Sequence, residues 1–120
     1  ITGEIAQWVS RHEMDAALLT LLCQHPSASL TIQENADPDV RHDLETFFAR
    51  LVREDSSLYR HTMEGIDDMP AHIRSALTDV SLSIPINAGR MMLGTWQGIY
   101  LFEHRIQPHT RRVVLHLMGD

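Results

Sequence analysis

An almost unbroken apolar run at residues 17–23 sets where the core of this chain begins. The run is too short for a typical helix, and its near-continuous apolar character, interrupted only by Thr20, predicts a strand buried on both faces. Residues 29–32 then alternate polar and apolar side chains, which indicates a second strand with one face in water. Pro26 lies between them and cannot donate to a sheet ladder, so it marks a connection or a sheet edge.

Helical spacing follows in the middle of the chain. Apolar residues after an Asp-Pro pair recur every three or four positions, which predicts a helix over 38–54 with Asp37 as its cap. A second helix is predicted over 69–77, with Asp68 as its cap. The polar residues between the two helices, 55–67, are predicted to be irregular.

Strand spacing returns after the second helix. Residues 81–86 alternate with period two, and short apolar runs at 99–102 and 113–118 predict two further strands. Residues 4–9 read as part of an N-terminal strand, and we expect a preceding stretch of that strand to be missing. Strands at both ends with two helices between them predict an α+β fold, in one domain that spans residues 1–120.

Composition excludes several classes of function. Lys and Arg total 10 against 16 Asp and Glu, and the net charge of −6 opposes general attraction to nucleic acid or anionic lipid. The apolar share of 43% is ordinary for a globular domain. No apolar run approaches the roughly 20 residues of a membrane-spanning helix. Cys23 is the single cysteine, so no intramolecular disulfide forms and a reducing cytoplasm is expected.

The chain carries eight histidines, and the question is which of them converge on one site. His61 and His72 flank an acidic run at 64–68, so a loop that folds back would bring two imidazoles and a carboxylate together. That combination suits a borderline divalent cation. The plainer interpretation is that both histidines only pack locally. The histidines in polar contexts are predicted to be surface or ordinary structural residues: His12, His42, His104, His109 and His116.

A second group of polar side chains lies between His25 and the start of the first predicted helix. Imidazole, small hydroxyls and carboxylates beside a helix N-terminus suit metal or phosphate chemistry. The plainer interpretation, which spacing alone favours, makes Asp37 a cap, Glu34 a solvated strand end and the serines an exposed strand face. Glu103 interrupts an apolar strand, where a carboxylate is costly unless it is paired, so it either faces solvent or completes a site.

Five stretches of the chain match, in order, a pattern typical of a known family. They are HPSASLTIQENADPDV (25–40), DDMPAHI (67–73), GRMMLGTWQGIYL (89–101), EHR (103–105) and RRVV (111–114). On these stretches the chain resembles the bacterial branch of the YjbQ-like proteins. The similarity extends from about Leu18 to Gly119.

The resemblance implies a β-sandwich-like core, a homotrimer, and a pocket rich in His and acidic residues that is compatible with a metal. It also implies a weak or promiscuous secondary thiamine-phosphate synthase. Such a transferase joins a hydroxymethylpyrimidine diphosphate to a thiazole phosphate and releases pyrophosphate. A divalent metal, Mg²⁺ or Zn²⁺, would neutralise the departing diphosphate. The expected partners are a phosphorylated small molecule and further copies of the chain, with no nucleic acid and no membrane.

Residue roles follow from the resemblance position by position. It implies catalytic roles for His25, Glu34, Asp37 and Glu103, and substrate contacts for Ser27, Asn35 and Gln97. It implies metal ligation by His61 and His72, with His25 as a third ligand. Pro26 stands where the family usually has Thr, so the hydroxyl and the backbone N–H are both absent, which puts any role for that position in doubt.

Two other functions stay open at this point. One is a metal-dependent hydrolase or lyase that acts on a phosphorylated metabolite, with His61 and His72 holding the ion. The other is a non-catalytic trimer that binds an anionic metabolite. No nucleophile with a paired base stands out in the sequence, which disfavours covalent catalysis.

Overall fold

The computed structural model describes residues 1–119, and these residues form helices, strands and one short 3-10 turn. None of the helices within 1–119 combines the length and the apolarity that crossing a bilayer requires. In chain order the elements are α1 (Thr2–Arg11), β1 (Ala16–Cys23), β2 (Ala28–Glu34), α2 (Pro38–Leu51), the turn Ser56–Leu58, α3 (Asp68–Leu77), β3 (Ser81–Asn87), β4 (Arg90–Met91), β5 (Gln97–Glu103) and β6 (Val113–Gly119).

The strands form two antiparallel sheets. The larger sheet has the order β4-β3-β1-β6, and the smaller sheet is the pair β2-β5. In the larger sheet Leu19 of β1 lies opposite Ile84 on one side and Leu117 on the other. The Leu30 N–H of β2 donates to the Asp79 carbonyl oxygen at 2.6 Å, which ties the smaller sheet to the segment before β3.

One apolar cluster joins both sheets and helix α1. Each fully buried Leu or Ile in such a cluster stabilises a fold by roughly 1.5–3 kcal/mol. The helices and the two sheets confirm the α+β class predicted from the sequence, and the two sheets share one core. The buried members of this core cluster are Ile5, Val9, Leu19, Leu21, Cys23, Ala28, Leu30, Ile84, Ile86 and Ile99.

Strand β1 is buried on one face, although the apolar run predicted burial on both. Leu19 and Leu21 are fully buried, whereas Leu18 is 45% and Leu22 is 42% exposed. The outward positions also carry leucine, so the sequence shows no alternation even though the strand has two different faces. The larger sheet consequently presents an apolar outer surface.

The N-terminal segment is a helix, and the predicted strand over residues 4–9 is wrong. Ile5, Trp8 and Val9 are spaced by three and four residues, so a helix turns them to one face against the core. Thr2 anchors the start of this helix, because its Oγ1 accepts the Ile99 N–H at 2.9 Å. The fold therefore contains three α-helices in residues 1–119 where the sequence predicted two.

Helix α2 begins as predicted and ends earlier, at Leu51. Asp37 caps it, since its Oδ1 accepts the Asp39 N–H at 2.9 Å. None of its residues is buried, and Phe47 and Leu51 are 57% and 56% exposed. Its apolar stripe therefore meets the body mainly through Phe48, whose ring stacks edge-on against Phe102.

Candidate metal centre

Asp68 and His72 lie on one face of helix α3, one turn apart. Residues four apart in a helix are neighbours on its surface, and His72 Nε2 lies 3.2 Å from Asp68 Oδ2. Asp68 is the first residue of the helix, and Asp67 takes the cap position that the sequence assigned to Asp68. Asp68 is thereby free to turn its carboxylate toward His72.

His61 reaches the same carboxylate from the loop before α3. Its Nε2 lies 2.5 Å from Asp68 Oδ2, and its ring centroid is 5.4 Å from that of His72. One ligand atom from each of the three residues lies within 4.8 Å of the others. The loop therefore folds back and brings together two imidazoles and a carboxylate.

The second oxygen of the Asp68 carboxylate faces a guanidinium. Arg105 Nη1 donates to Asp68 Oδ1 at 2.7 Å, and the Asp68 side chain is only 3% exposed. Burial by itself raises the pKa of Asp68, but the side-chain hydrogen bonds with His61 and Glu64, followed by the nearby His72 and Arg105, outweigh it and hold the pKa below its usual range. Asp68 is a charged carboxylate at neutral pH.

Arg105 is held by other groups as well as by Asp68. Its Nε donates to Asp67 Oδ2 at 3.0 Å, and its Nη2 donates to the Glu64 carbonyl oxygen at 3.0 Å. Asp67 Oδ2 also accepts the Ile106 N–H at 2.8 Å. Burial opposes ionisation of Asp67, yet these hydrogen bonds from Arg105 and Ile106 lower its pKa. The segment after β5 thus fixes the start of α3.

The chemistry of these three side chains fits a divalent metal. Two imidazole nitrogens with one carboxylate oxygen form a set that suits zinc and iron, whereas magnesium and calcium prefer oxygen ligands. The imidazoles of His61 and His72 are 43% and 33% exposed, so the cluster lies at the protein surface rather than in the core. Within residues 1–119 this is the one group of three such side chains with that spacing.

His25 lies outside this cluster. Its Nε2 accepts the Arg112 N–H at 2.7 Å, so that nitrogen is already occupied by the backbone before β6. In this role His25 fastens the turn after β1 to the start of β6. The structure does not bring it to His61 and His72 within one chain.

Glu103 and Ser27 meet at a second cluster around Arg111. Arg111 Nε donates to Glu103 Oε2 at 2.6 Å while its Nη2 bonds to the other carboxylate oxygen, and its Nη1 donates to Ser27 Oγ at 3.0 Å. Burial raises the pKa of Glu103, but the bonds from Arg111 and the Arg105 N–H lower it overall. The carboxylate of Glu103 is therefore paired with Arg111 and remains 30% exposed.

The remaining predicted site residues lie at the opposite end of the smaller sheet. Glu34 pairs with Gln97 there, and the Asn35 amide donates to the Gln97 carbonyl oxygen at 3.3 Å. At the other end Ala28 pairs with Glu103, six residues away along the strand. Six residues of strand span about 20 Å. Glu34, Asn35, Asp37 and Gln97 are therefore separate from Glu103 within one chain.

A buried polar network lies beside these clusters and was not predicted. His104 is 4% exposed, and its Nε2 lies 2.9 Å from Ser29 Oγ, which also accepts the Thr78 hydroxyl at 2.7 Å. Burial, and next the charge of Arg74, lower the pKa of His104 to about 4. His104 is therefore a buried structural residue with a neutral ring, the second of the two alternatives given for it from the sequence.

Known proteins match this chain along its whole length. The family described as UPF0047 protein YjbQ-like matches residues 1–120. The chain belongs to the YjbQ-like UPF0047 family. A UPF0047 protein of Synechocystis sp. is 58% identical over 98% of this chain and 80% of its own length, and the YjbQ protein of Escherichia coli O157:H7 is 50% identical over 100% and 87%.

Solved structures with 33% and 36% identity share the fold. A YjbQ/UPF0047 protein from Clostridium acetobutylicum has a TM-score of 0.87 and 33% identity, covering 98% of this chain and 88% of that one. A conserved hypothetical protein from Thermus thermophilus has a TM-score of 0.86 and 36% identity, with the same coverage of both chains. The resemblance drawn from the sequence is confirmed.

Two residues of the metal centre were not singled out by sequence reasoning. The sequence places Asp68 in the acidic run between His61 and His72 and as a helix cap, but does not single it out as the carboxylate that meets them, although its spacing of four residues from His72 places both on one face of the helix. Arg105 gives no local signal, because it is 37 residues from Asp68 and the two meet only through the fold. The Asp-x-x-x-His pattern at the start of the predicted helix is the sequence signal that identifies Asp68.

Proposed function

We propose that this chain is a metal-dependent enzyme that acts on a phosphorylated small molecule. The convergence of His61 Nε2, His72 Nε2 and Asp68 Oδ2 within 4.8 Å carries the proposal. Three protein ligands with further positions left for water or substrate are typical of catalytic zinc sites, whereas structural zinc sites use four.

The ligand set favours a zinc-type ion over magnesium, because two of the three ligand atoms are imidazole nitrogens. When bound, such a cation supplies a Lewis acid for a phosphoryl oxygen. The chain's own residues set up the site around it. Arg105 orients the carboxylate, and the partial exposure of His61 and His72 supports access by a substrate from solvent.

Secondary thiamine-phosphate synthesis is the specific reaction that we propose. It would join the hydroxymethylpyrimidine diphosphate to the thiazole phosphate, with substrate contacts at Ser27, Asn35 and Gln97 and catalytic roles for His25, Glu34, Asp37 and Glu103. These residues lie in separate groups of one chain, so the proposal includes a homotrimer in which a neighbouring copy brings the distant group to the metal. The exposed Phe47 and Leu51 offer an apolar surface for such an assembly.

A cytoplasmic location and the absence of nucleic-acid or membrane partners are parts of the same proposal. The net charge of −6 supports the second part, since polyanions would be repelled. The lone Cys23 is buried, which fits a protein that needs no disulfide.

Growth of a thiamine-requiring strain that lacks its own synthase tests the reaction. We expect the wild-type chain and His42→Ala, a control at a 77% exposed histidine, to restore growth without thiamine. His72→Ala should fail to do so. If His72→Ala restores growth as well as wild type, the metal centre has no part in this reaction.

A metal-dependent hydrolase or lyase is the second candidate, and the two-imidazole set favours it because zinc hydrolases use such ligands. Metabolite profiling of a deletion strain distinguishes the two. The hydrolase predicts that one phosphorylated compound accumulates and that the purified zinc-loaded protein consumes it. If the thiamine-requiring strain does not grow with the wild-type chain, and such a compound accumulates in the deletion strain, the hydrolase is favoured over the transferase.

A further inference from the structure

The carboxylate of Asp68 is divided between two neighbours. Its Oδ2 faces His61 and His72, while its Oδ1 accepts a hydrogen bond from Arg105 Nη1 at 2.7 Å. The carboxylate is nearly buried and both of its oxygens are engaged, so its rotation is restricted. One oxygen is therefore presented to the imidazoles and the other is withheld.

The guanidinium that holds Oδ1 is itself fixed in place. Three of its nitrogens bond to three different acceptors within residues 64–68, and its side chain is 16% exposed. The hydrogen bond to Asp67 is the largest effect and raises the pKa of Arg105 further above its usual range, although burial opposes the charge. A planar fork bonded at three points allows little rotation.

The charges around Asp68 also balance in a particular way. Asp67 and Asp68 carry two negative charges, and Arg105 carries one positive charge between them. A third carboxylate, that of the more exposed Glu64, lies with its Oε2 3.8 Å from His61 Nε2. Asp67 offsets the guanidinium, so the negative charge of Asp68 remains available to a cation at Oδ2. Without Asp67, the guanidinium would oppose a cation more strongly.

We propose that Arg105 is a positioning residue that limits Asp68 to binding a cation through one oxygen. This inference rests on the metal centre proposed above. Calcium favours bidentate carboxylates and six to eight oxygen ligands, whereas zinc is satisfied by imidazole nitrogens and a single carboxylate oxygen. Arg105 thereby makes the site selective for zinc-type ions over calcium.

Metal titration of purified wild-type protein and of Arg105→Lys tests the inference, using Zn²⁺ and Ca²⁺ separately. Lysine keeps the positive charge and loses the fork, so Oδ1 is released. Groups that orient a metal ligand are worth about 10–100-fold in affinity. We expect Arg105→Lys to bind Zn²⁺ about 10–100-fold more weakly, while Ca²⁺ affinity is unchanged or higher, so that the ratio of the two dissociation constants shifts toward calcium. A general loosening of the fold would weaken both ions together, and that result would overturn the inference.

Two further variants keep the outcomes distinct. His72→Ala must lose Zn²⁺ binding if the metal centre exists. If this variant binds Zn²⁺ as tightly as wild type does, the proposed function is contradicted. If His72→Ala loses zinc but Arg105→Lys keeps both the wild-type affinity and the wild-type Zn²⁺-to-Ca²⁺ ratio, only the inference about Arg105 is wrong. Should Arg105→Lys fail to fold, Arg105→Gln replaces it. Glutamine has no guanidinium fork to hold Asp68 Oδ1, and an unchanged ratio of the two dissociation constants in that variant would likewise overturn the inference.

Discussion

The imidazole rings of His61 and His72 lie 5.4 Å apart between centroids and are inclined by 73°, with the carboxylate of Asp68 between their Nε2 atoms. Residues 62–71 lie between the two histidines, and most of them belong to the loop that folds back before α3. The geometry of that loop therefore decides whether the cluster exists. Its stability depends on the glycine in the loop and on the ion pairs beside it.

Gly65 is needed by the loop, because its φ is +108°, a region that side chains rarely adopt. A Cβ at this position would also lie 3.1 Å from Asp67 Oδ1. We expect Gly65→Ala to lower the free energy of unfolding by about 2 kcal/mol and to weaken zinc binding. Denaturant unfolding measures the first effect. Gly3 is the matched control, since its Cβ would meet no atom within 4 Å in helix α1, so Gly3→Ala should stabilise by about 0.5 kcal/mol.

Glu103 neutralises Arg111, whose side chain is only 6% exposed. Glu103→Ala leaves that guanidinium without its partner. Breaking a fully buried pair costs about 3–5 kcal/mol, and since Glu103 is 30% exposed we expect about 2 kcal/mol here. Urea unfolding measures it. Asp43→Ala, which removes an 83% exposed carboxylate beside His42, should change stability by less than about 0.5 kcal/mol. Equal losses in the two variants would contradict the account.

His104 makes stability depend on pH. Its pKa falls from 6.5 to about 4 in the folded chain, chiefly through burial. Between these values the unfolded chain binds more protons, so stability that is fully present above pH 6.5 is lost as the pH falls toward 4. The loss reaches about 3 kcal/mol.

Thermal or urea unfolding of wild type and His104→Gln across about pH 7 to 4 measures this dependence. The variant should lose this part of the pH dependence, although its stability at neutral pH is lower because the bond to Ser29 is altered. His42→Gln, at an exposed position, should follow the wild-type curve. If the stability of His104→Gln depends on pH just as that of wild type does, another group is responsible for the dependence.

Phe47 and Leu51 expose apolar side chains on α2 that no other part of the described chain covers. If they form the proposed trimer contact, Phe47→Ser together with Leu51→Ser should convert trimers into monomers. Native mass spectrometry measures the assembly. Glu45→Ser on the same helix is a control for a change of exposed surface, and it should leave the trimer intact. Trimers that survive the double change place the contact elsewhere.

Local patterns predicted most of the fold. Strands β3, β5 and β6 and helix α2 were predicted because period-two alternation, a short apolar run or a spacing of three to four residues is visible within a single element, whereas the two-residue strand β4 was not predicted. Segment 4–9 was misread because it is short, and only the contacts of Ile5, Trp8 and Val9 with the core show which period applies. The exposed leucines of β1 could not be predicted, because a strand with leucine on both faces has the same pattern whether one face or both are covered.

The candidate site was harder to predict than the fold. His61 and His72 were singled out by their position around an acidic run, but the choice of Asp68 depends on Arg105, which arrives from the far end of β5. Glu34 and Gln97 were grouped with Glu103, although the two ends of one strand pair cannot meet within a chain. The strand length itself contained that information.

Crystals grown with Zn²⁺ and measured at the zinc absorption edge test the central claim most directly. The account predicts an anomalous peak about 2.0–2.2 Å from His61 Nε2, His72 Nε2 and a single oxygen of Asp68, and no peak there in Asp68→Ala. A zinc peak at His25 or at surface histidines, with none between His61 and His72, would contradict it.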